Sequence, residues 1–182
     1  MTFIDPSKHF YGHDGPLLQR AVDFWKWAYS DLVQNITRGI VAEYLVACSL
    51  GLDKIPRQPW ESFDLKTKNG KKIEIKSAAY VQAWTYGNAP PKFVISPKKA
   101  WTQTEGLTKE SALNADEYVL CLHNEKERGK VDPMNIDQWR FWVFSKEEII
   151  KLLNGRKSIS IKKLEQVKPV DFSDLGKAIQ NE

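Results

Sequence analysis

The chain has 182 residues, 42% of them hydrophobic and 12% aromatic, enough for one sizeable core without help from cross-links. A formal charge of +4 permits a polyanionic partner without demanding one, and two cysteines, Cys48 and Cys121, argue against a disulfide framework or a cysteine metal site. No run of about 18 apolar residues occurs and the N-terminus has no apolar export segment, so neither membrane spanning nor secretion is expected. Both cysteines lie in apolar runs, and buried free thiols suit a reducing, cytoplasmic location.

In chain order, Pro16 to Gln34 places apolar residues at Leu17, Leu18, Ala21, Val22, Trp25, Ala28, Tyr29, Leu32 and Val33. This is the i, i+3/i+4 spacing of an amphipathic helix, with Pro16 in its first turn. Asn35 or Thr37 is placed to cap a second helix that reaches about Leu50 and ends before Gly51. That helix is apolar nearly all round and is expected to be largely buried. Gly51 to Ser62, with Pro56 and Pro59, reads as a linker.

Phe63 to Lys76, FDLKTKNGKKIEIK, reads as a β-hairpin turning at Asn69-Gly70. Strand side chains alternate faces, so Phe63, Leu65, Ile73 and Ile75 must point to one core. A two-residue Asn-Gly loop would pair Leu65 with Glu74 and mix the faces. A three-residue loop, Lys68-Asn69-Gly70 with Gly70 at positive φ, pairs Leu65 with Ile73 and Phe63 with Ile75. Asp64 is then expected opposite Glu74, and Lys66 opposite Lys72. Facing strands usually set opposite charges against each other. Two carboxylates about 5 Å apart would repel by up to about 3 kcal/mol at an effective dielectric of about 20, unless a cation or a shared proton intervenes.

Beyond Tyr80, WTYGNAPPK reads as a loop and Phe93 to Ile95 as a short apolar run. The stretch 96–113 is weakly signalled, with a short crossover helix as its expected content. Ala115 to His123 and Trp139 to Phe144 read as buried strands, separated by a polar excursion. Ser145 caps a helix with Glu148 at the capping-box position and Gly155 at its end. The tail holds a short strand and one or two short helices. The expected fold is one α/β domain over residues 1–182: a mixed β-sheet flanked by helices, with a core over about 16–155 and the extension 156–182 packed on it. An α+β layer with all strands antiparallel is the alternative.

Asp64, Glu74 and Lys76 supply two carboxylates and an amine on adjacent strands. Hard divalent cations such as Mg²⁺ take oxygen ligands and keep several waters, so one or two carboxylates plus phosphate oxygens suffice. A lysine beside such a site can orient or deprotonate water, and these parts together would hydrolyse a phosphodiester. Glu43 is the only charged residue between Ile40 and Leu50. A carboxylate there, if buried, must be paired, protonated or metal-associated.

The helical glutamate in RGIVAEYLVA, the aspartate in FDL and the EIK that follows resemble the PD-(D/E)XK nuclease superfamily over residues 36–82. The motif's initial proline is absent, Phe63 standing before Asp64. The resemblance implies a restriction-endonuclease-like fold and a Mg²⁺- or Mn²⁺-dependent DNA endonuclease. In it Asp64 and Glu74 look like metal ligands, Lys76 like the catalytic lysine, and Glu43 like the helix glutamate that assists metal binding. Lys66, Lys68 and Lys72 extend the hairpin's polar face into a basic strip suited to phosphates. Gln82, Trp84, Tyr86, Trp101, Lys98 and Lys99 are further candidates for nucleic-acid contact. Cutting both strands with one site per chain calls for a homodimer. The competing readings are a non-catalytic nucleic-acid-binding module that keeps this fold, and a protein-interaction module whose exposed aromatics are the interface.

Overall fold

Residues 2–58, 61–83, 90–102 and 106–180 are described by the computed structural model, with the side chains of 101 and 102 left aside. At Leu65 and Lys66 the hairpin has the register that the side-chain pattern demands, but the expected pairing of Phe63 with Ile75 does not form, and Phe63 packs against the cluster that holds Ala78 and Tyr118 instead. Strand β3 (Leu65–Lys66) pairs antiparallel with β4 (Lys72–Ala79), Leu65 against Ile73 and Lys66 against Lys72. The three-residue loop closes with Gly70 N–H donating to Thr67 O at 3.0 Å and Thr67 N–H to Lys71 O at 2.9 Å. Gly70 has φ +93°, a conformation that excludes most side chains.

Strand β4 is an inner strand of a four-stranded mixed sheet of order β3, β4, β8 (Glu117–His123), β9 (Trp139–Ser145). Strand β8 runs parallel to it, with Glu74 against Tyr118 and Lys76 against Leu120. Strand β9 returns antiparallel to β8. The all-antiparallel alternative therefore does not hold, and the α/β class does. Every residue of β8 is buried, as a strand covered on both faces requires.

The two faces of the sheet bury separate cores. Helix α2 (Asn35–Ser49) lays Ala42, Leu45 and Val46 against Ile73, Ile75, Val119 and Phe141. On the other face Ala78, Tyr118, Leu120 and Trp142 meet Phe93, Ile95, Ile149 and Leu164. The latter come from β5 (Lys92–Val94) and the residue after it, α3 (Lys146–Leu153) and α4 (Ile161–Leu164). Helix α3 has the expected capping box of Ser145 and Glu148. Strand β10 (Ser158–Ser160) pairs with β5, so the tail joins the core. No described helix is long and apolar enough to cross a membrane.

Three expectations need correction. The helix over Pro16 to Gln34 is shorter: β1 (His9–Gly12) and β2 (Gly15–Arg20) form a hairpin, and α1 spans only Ala21–Tyr29. Gly15, at φ +110°, turns the chain there. None of the α1 residues is buried and Trp27 is 85% exposed, so its apolar spacing does not mark a core face. The stretch 96–113 contains no crossover helix among its described residues. It holds β6 (Lys98–Thr102) and β7 (Gly106–Ala112), paired with each other. Helix α2 is also not apolar-buried all round, since Ile36 and Tyr44 are exposed.

The closing helix α5 (Phe172–Gln180) packs Leu175 and Ile179 against the α2 face. Its approach to α2 depends on Gly176, where a Cβ would stand 2.1 Å from the backbone oxygen of Ser49. Alanine normally gains up to about 1 kcal/mol over glycine inside a helix. Here the neighbour is backbone and cannot turn aside, so overpacking of roughly 1–3 kcal/mol wins. Gly176→Ala is expected to lower the urea midpoint; a raised midpoint would show that the two helices can separate freely.

Candidate active site

The hairpin ladder stops one residue short of the expected pairing, and this places Asp64. Its N–H donates to Ile73 O at 2.9 Å, while its Oδ2 accepts the Ile75 N–H at 2.6 Å. The carboxylate thus takes the place of a ladder carbonyl and lies at the sheet's edge, rather than standing squarely opposite Glu74 on one face. Glu74 and Lys76 alternate with Ile73 and Ile75 along β4, so they point away from α2. Glu43 approaches from the α2 side. The in-plane Asp64 sits between the two.

Glu74 is only 4% exposed. Its Oε1 accepts from the Lys76 ammonium and from Lys98 Nζ, the latter at 2.6 Å. This trio lines a small hollow with Ser62, Ile95, Asn114 and Tyr118. Glu43 is held by both Arg57 Nε and Arg57 Nη2, the second at 2.9 Å from Oε1. Glu43, Arg57 and Asp64 line a separate cavity of about 400 Å³ whose walls are mostly apolar, among them Ile40, Leu52 and Phe63. Of the four residues expected to form the site, Asp64, Glu74 and Lys76 are neighbours. Glu43 adjoins Asp64 alone, from the other hollow.

Burial is the main cause that pushes the Asp64 carboxyl up to about 6, with the Glu74 charge second; the Ile75 hydrogen bond opposes them, and Glu43 adds to the rise. The like-charge strain read from the sequence is therefore present. A carboxyl whose folded pKa exceeds its unfolded value binds its proton more tightly when folded. Stability is accordingly lost as pH climbs from about 4 to about 6. Asp64→Asn should remove this cost and raise stability at pH 7.5 by roughly 1–3 kcal/mol, discounted for partial exposure. Urea unfolding at pH 4.5 and 7.5 checks it: an Asn variant no more stable than wild type at the higher pH would contradict the strain.

Two oxygens could hold a hard cation. Asp64 Oδ1 and Glu74 Oε2 accept no hydrogen bond from a described residue, while each group's other oxygen is engaged. Such a donor set suits Mg²⁺ or Mn²⁺ with water and phosphate completing the shell. Among the described residues no group of three or more His, Cys, Asp and Glu is arranged to hold a metal.

Two arginines were not expected in the roles they take, and Arg38, a possible partner for Glu43 on sequence grounds, is bonded elsewhere. Arg57 follows Pro56 in a loop without periodicity, so nothing marked it as the partner of Glu43. Arg38 is 3% exposed, and burial pushes its guanidinium down to about 10. It donates to Val33 O at 3.0 Å, Gln82 Oε1 at 3.3 Å and Ser77 Oγ at 3.4 Å, and also to Asn35. An arginine in an otherwise apolar helix was the signal available. It ties the start of α2 to the residue after Lys76.

The remaining contact candidates are scattered. Lys66, Lys68 and Lys99 are exposed, and Lys72 lies over the Phe63 ring at 5.6 Å. The Gln82 amide is engaged on Ala79 O and Arg38. Trp84 and Tyr86 lie outside the described residues, as does the side chain of Trp101.

The family model described as bacteriophage T4 endonuclease IV matches residues 19–163, most of the chain. The chain belongs to the bacteriophage T4 endonuclease IV family. The matched span includes Glu43, Asp64, Glu74, Lys76 and Lys98, and ends before α5. Endonuclease IV membership thus covers the whole candidate site. No curated protein sequence matches the chain.

Proposed function

We propose that the protein is a divalent-metal-dependent DNA endonuclease of the PD-(D/E)XK kind, with Asp64, Glu74 and Lys76 as its centre. The observation that carries this reading is a lysine ammonium and two carboxylates, that of Asp64 pushed up to about 6, brought together at one end of the β3–β4 hairpin. Membership of a family named for an endonuclease supports it. Asp64 and Glu74 would hold a Mg²⁺ or Mn²⁺ ion, which would offset charge on the scissile phosphate. Lys76 orients the attacking water through its ammonium. The water oxygen bonds to phosphorus as one P–O(sugar) bond breaks, a water proton is released, and the departing sugar oxygen takes up a proton. Asp64 contributes as the carboxylate, the form that can hold a divalent cation. Glu43, held by Arg57, keeps a third negative charge beside Asp64 and acts as a positioning residue.

Lys66, Lys68, Lys72, Gln82, Trp84, Lys98 and Lys99 are the proposed nucleic-acid contacts, and a homodimer is the form that would cut both strands. The deciding experiment incubates circular single-stranded DNA and plasmid with Mg²⁺ or Mn²⁺, using wild type, Lys76→Ala and Asp64→Ala. Cleavage by wild type alone supports the assignment. Equal cleavage by all three removes it. Salt-sensitive DNA binding with no metal response and no cleavage would instead indicate a binding module.

A further inference from the structure

We propose that Lys98 is a second catalytic ammonium. It holds Glu74 while no divalent cation is bound and moves onto a non-bridging oxygen of the scissile phosphate when Glu74 turns to the cation. The proposal rests on the metal-dependent nuclease reading above.

Three observations lead here. Both Lys76 and Lys98 bring their ammonium groups to the same oxygen, Glu74 Oε1. One buried carboxylate is thus shared by two cations, more positive charge than Glu74 alone needs. The two lysines also differ in how they are held. Lys76 stands on the inner strand β4, flanked by β3 and β8, with its side chain 22% exposed. Lys98 is the first residue of β6, in a two-stranded hairpin paired only with itself, and its side chain is 49% exposed. Asn114 Nδ2 donates to Lys98 O at 2.9 Å and fixes the backbone there, so the long side chain can swing without moving the strand.

Charge accounting gives Lys98 a role. With a divalent cation on Asp64 and Glu74, the two carboxylates are neutralised. Phosphodiester hydrolysis passes through a phosphorane-like arrangement carrying about two negative charges, and the two ammonium groups of Lys76 and Lys98 match them. Lys76 alone leaves one charge unbalanced beside the buried Glu74, where such a deficit is expensive. The Glu74 contact also means that Lys98 and the cation compete for the same carboxylate, Lys98 holding Oε1 while the cation would take Oε2. This gives a readout that needs no turnover.

The experiment measures Mn²⁺ binding by titration calorimetry, and cleavage of circular single-stranded DNA, for wild type, Lys98→Ala and Lys98→Arg. Removing a competing positive charge beside the ligand should tighten Mn²⁺ binding about tenfold in Lys98→Ala. The same variant should cleave at least about 100-fold more slowly, as expected for losing one charge-stabilising donor. Lys98→Arg should return both quantities toward wild type. Mn²⁺ affinity that is unchanged or weaker in Lys98→Ala marks a purely structural lysine and overturns the proposal, as does cleavage at the wild-type rate. Either result leaves the nuclease assignment standing. A wild type that neither binds Mn²⁺ nor cuts DNA removes both.

Discussion

Lys76→Ala is expected to cleave DNA about 10³-fold more slowly than wild type at saturating Mg²⁺, within the range for removing a group that handles the attacking water. The fold should survive the change. Glu74 keeps Lys98 Nζ at 2.6 Å, so the buried carboxylate is not stranded, and β4 retains its ladders to β3 and β8. Stability should shift by no more than about 1 kcal/mol. The comparison is of single-turnover rates, with circular dichroism and a urea titration to establish that the variant is folded. Asp64→Asn should fall comparably while gaining stability near neutral pH, because the strained carboxyl is gone and the amide oxygen can still accept the Ile75 N–H. Loss of rate together with gained stability separates a site residue from a structural one. If both variants cut at the wild-type rate, the hairpin is not the centre.

The largest stability effect is expected at the opposite end of β4. Lys71 Nζ donates to Glu117 Oε1 at 2.6 Å and to Ile179 O at 2.8 Å, and the Glu117 side chain is 4% exposed. The ammonium thus joins the start of β8 to the last turn of α5. Lys71→Met removes the positive charge that offsets a buried carboxylate, and breaking such a pair from one side costs about 3–5 kcal/mol. Replacing both groups, Lys71→Met with Glu117→Leu, should recover most of that loss, because neither charge is then left in the interior. Urea unfolding of the two single variants and the double completes the cycle. Losses that simply add would show that the two side chains do not depend on each other.

The hairpin was legible in the sequence because its constraints are local. Alternation of Leu65, Ile73 and Ile75 leaves one loop length that keeps these apolar side chains together, and Gly70 supplies the positive φ that this loop needs, while Phe63, beyond the ladder, joins the other core. The strands β8 and β9 and the capped helix α3 were legible for the same reason, each announcing itself within about ten residues. The stretch 98–112 was misread because its pairing partner lies within a weakly apolar, mostly exposed hairpin that leaves no amphipathic signature. The helix from Pro16 was overextended because spacing reports which residues could share a face, while Gly12 to Gly15 decides that the chain turns back first.

The site divides along the same line. Residue types and hairpin register, both carried by the chain itself, bring Asp64, Glu74 and Lys76 within reach of one another, since side-chain alternation is a property of any strand. Contacts between segments far apart in sequence settled everything else. Arg57 across the linker from Glu43, Lys98 on Glu74, and Arg38 on Ser77 and Gln82 depend on how α2 and the β6–β7 hairpin dock on the sheet. Packing also placed Asp64 in the plane of the sheet, where it fills a gap in the ladder at Ile75. Local patterning selects which residues can meet. The distances and pKa shifts that make them a site come from burial, which only the assembled tertiary structure provides.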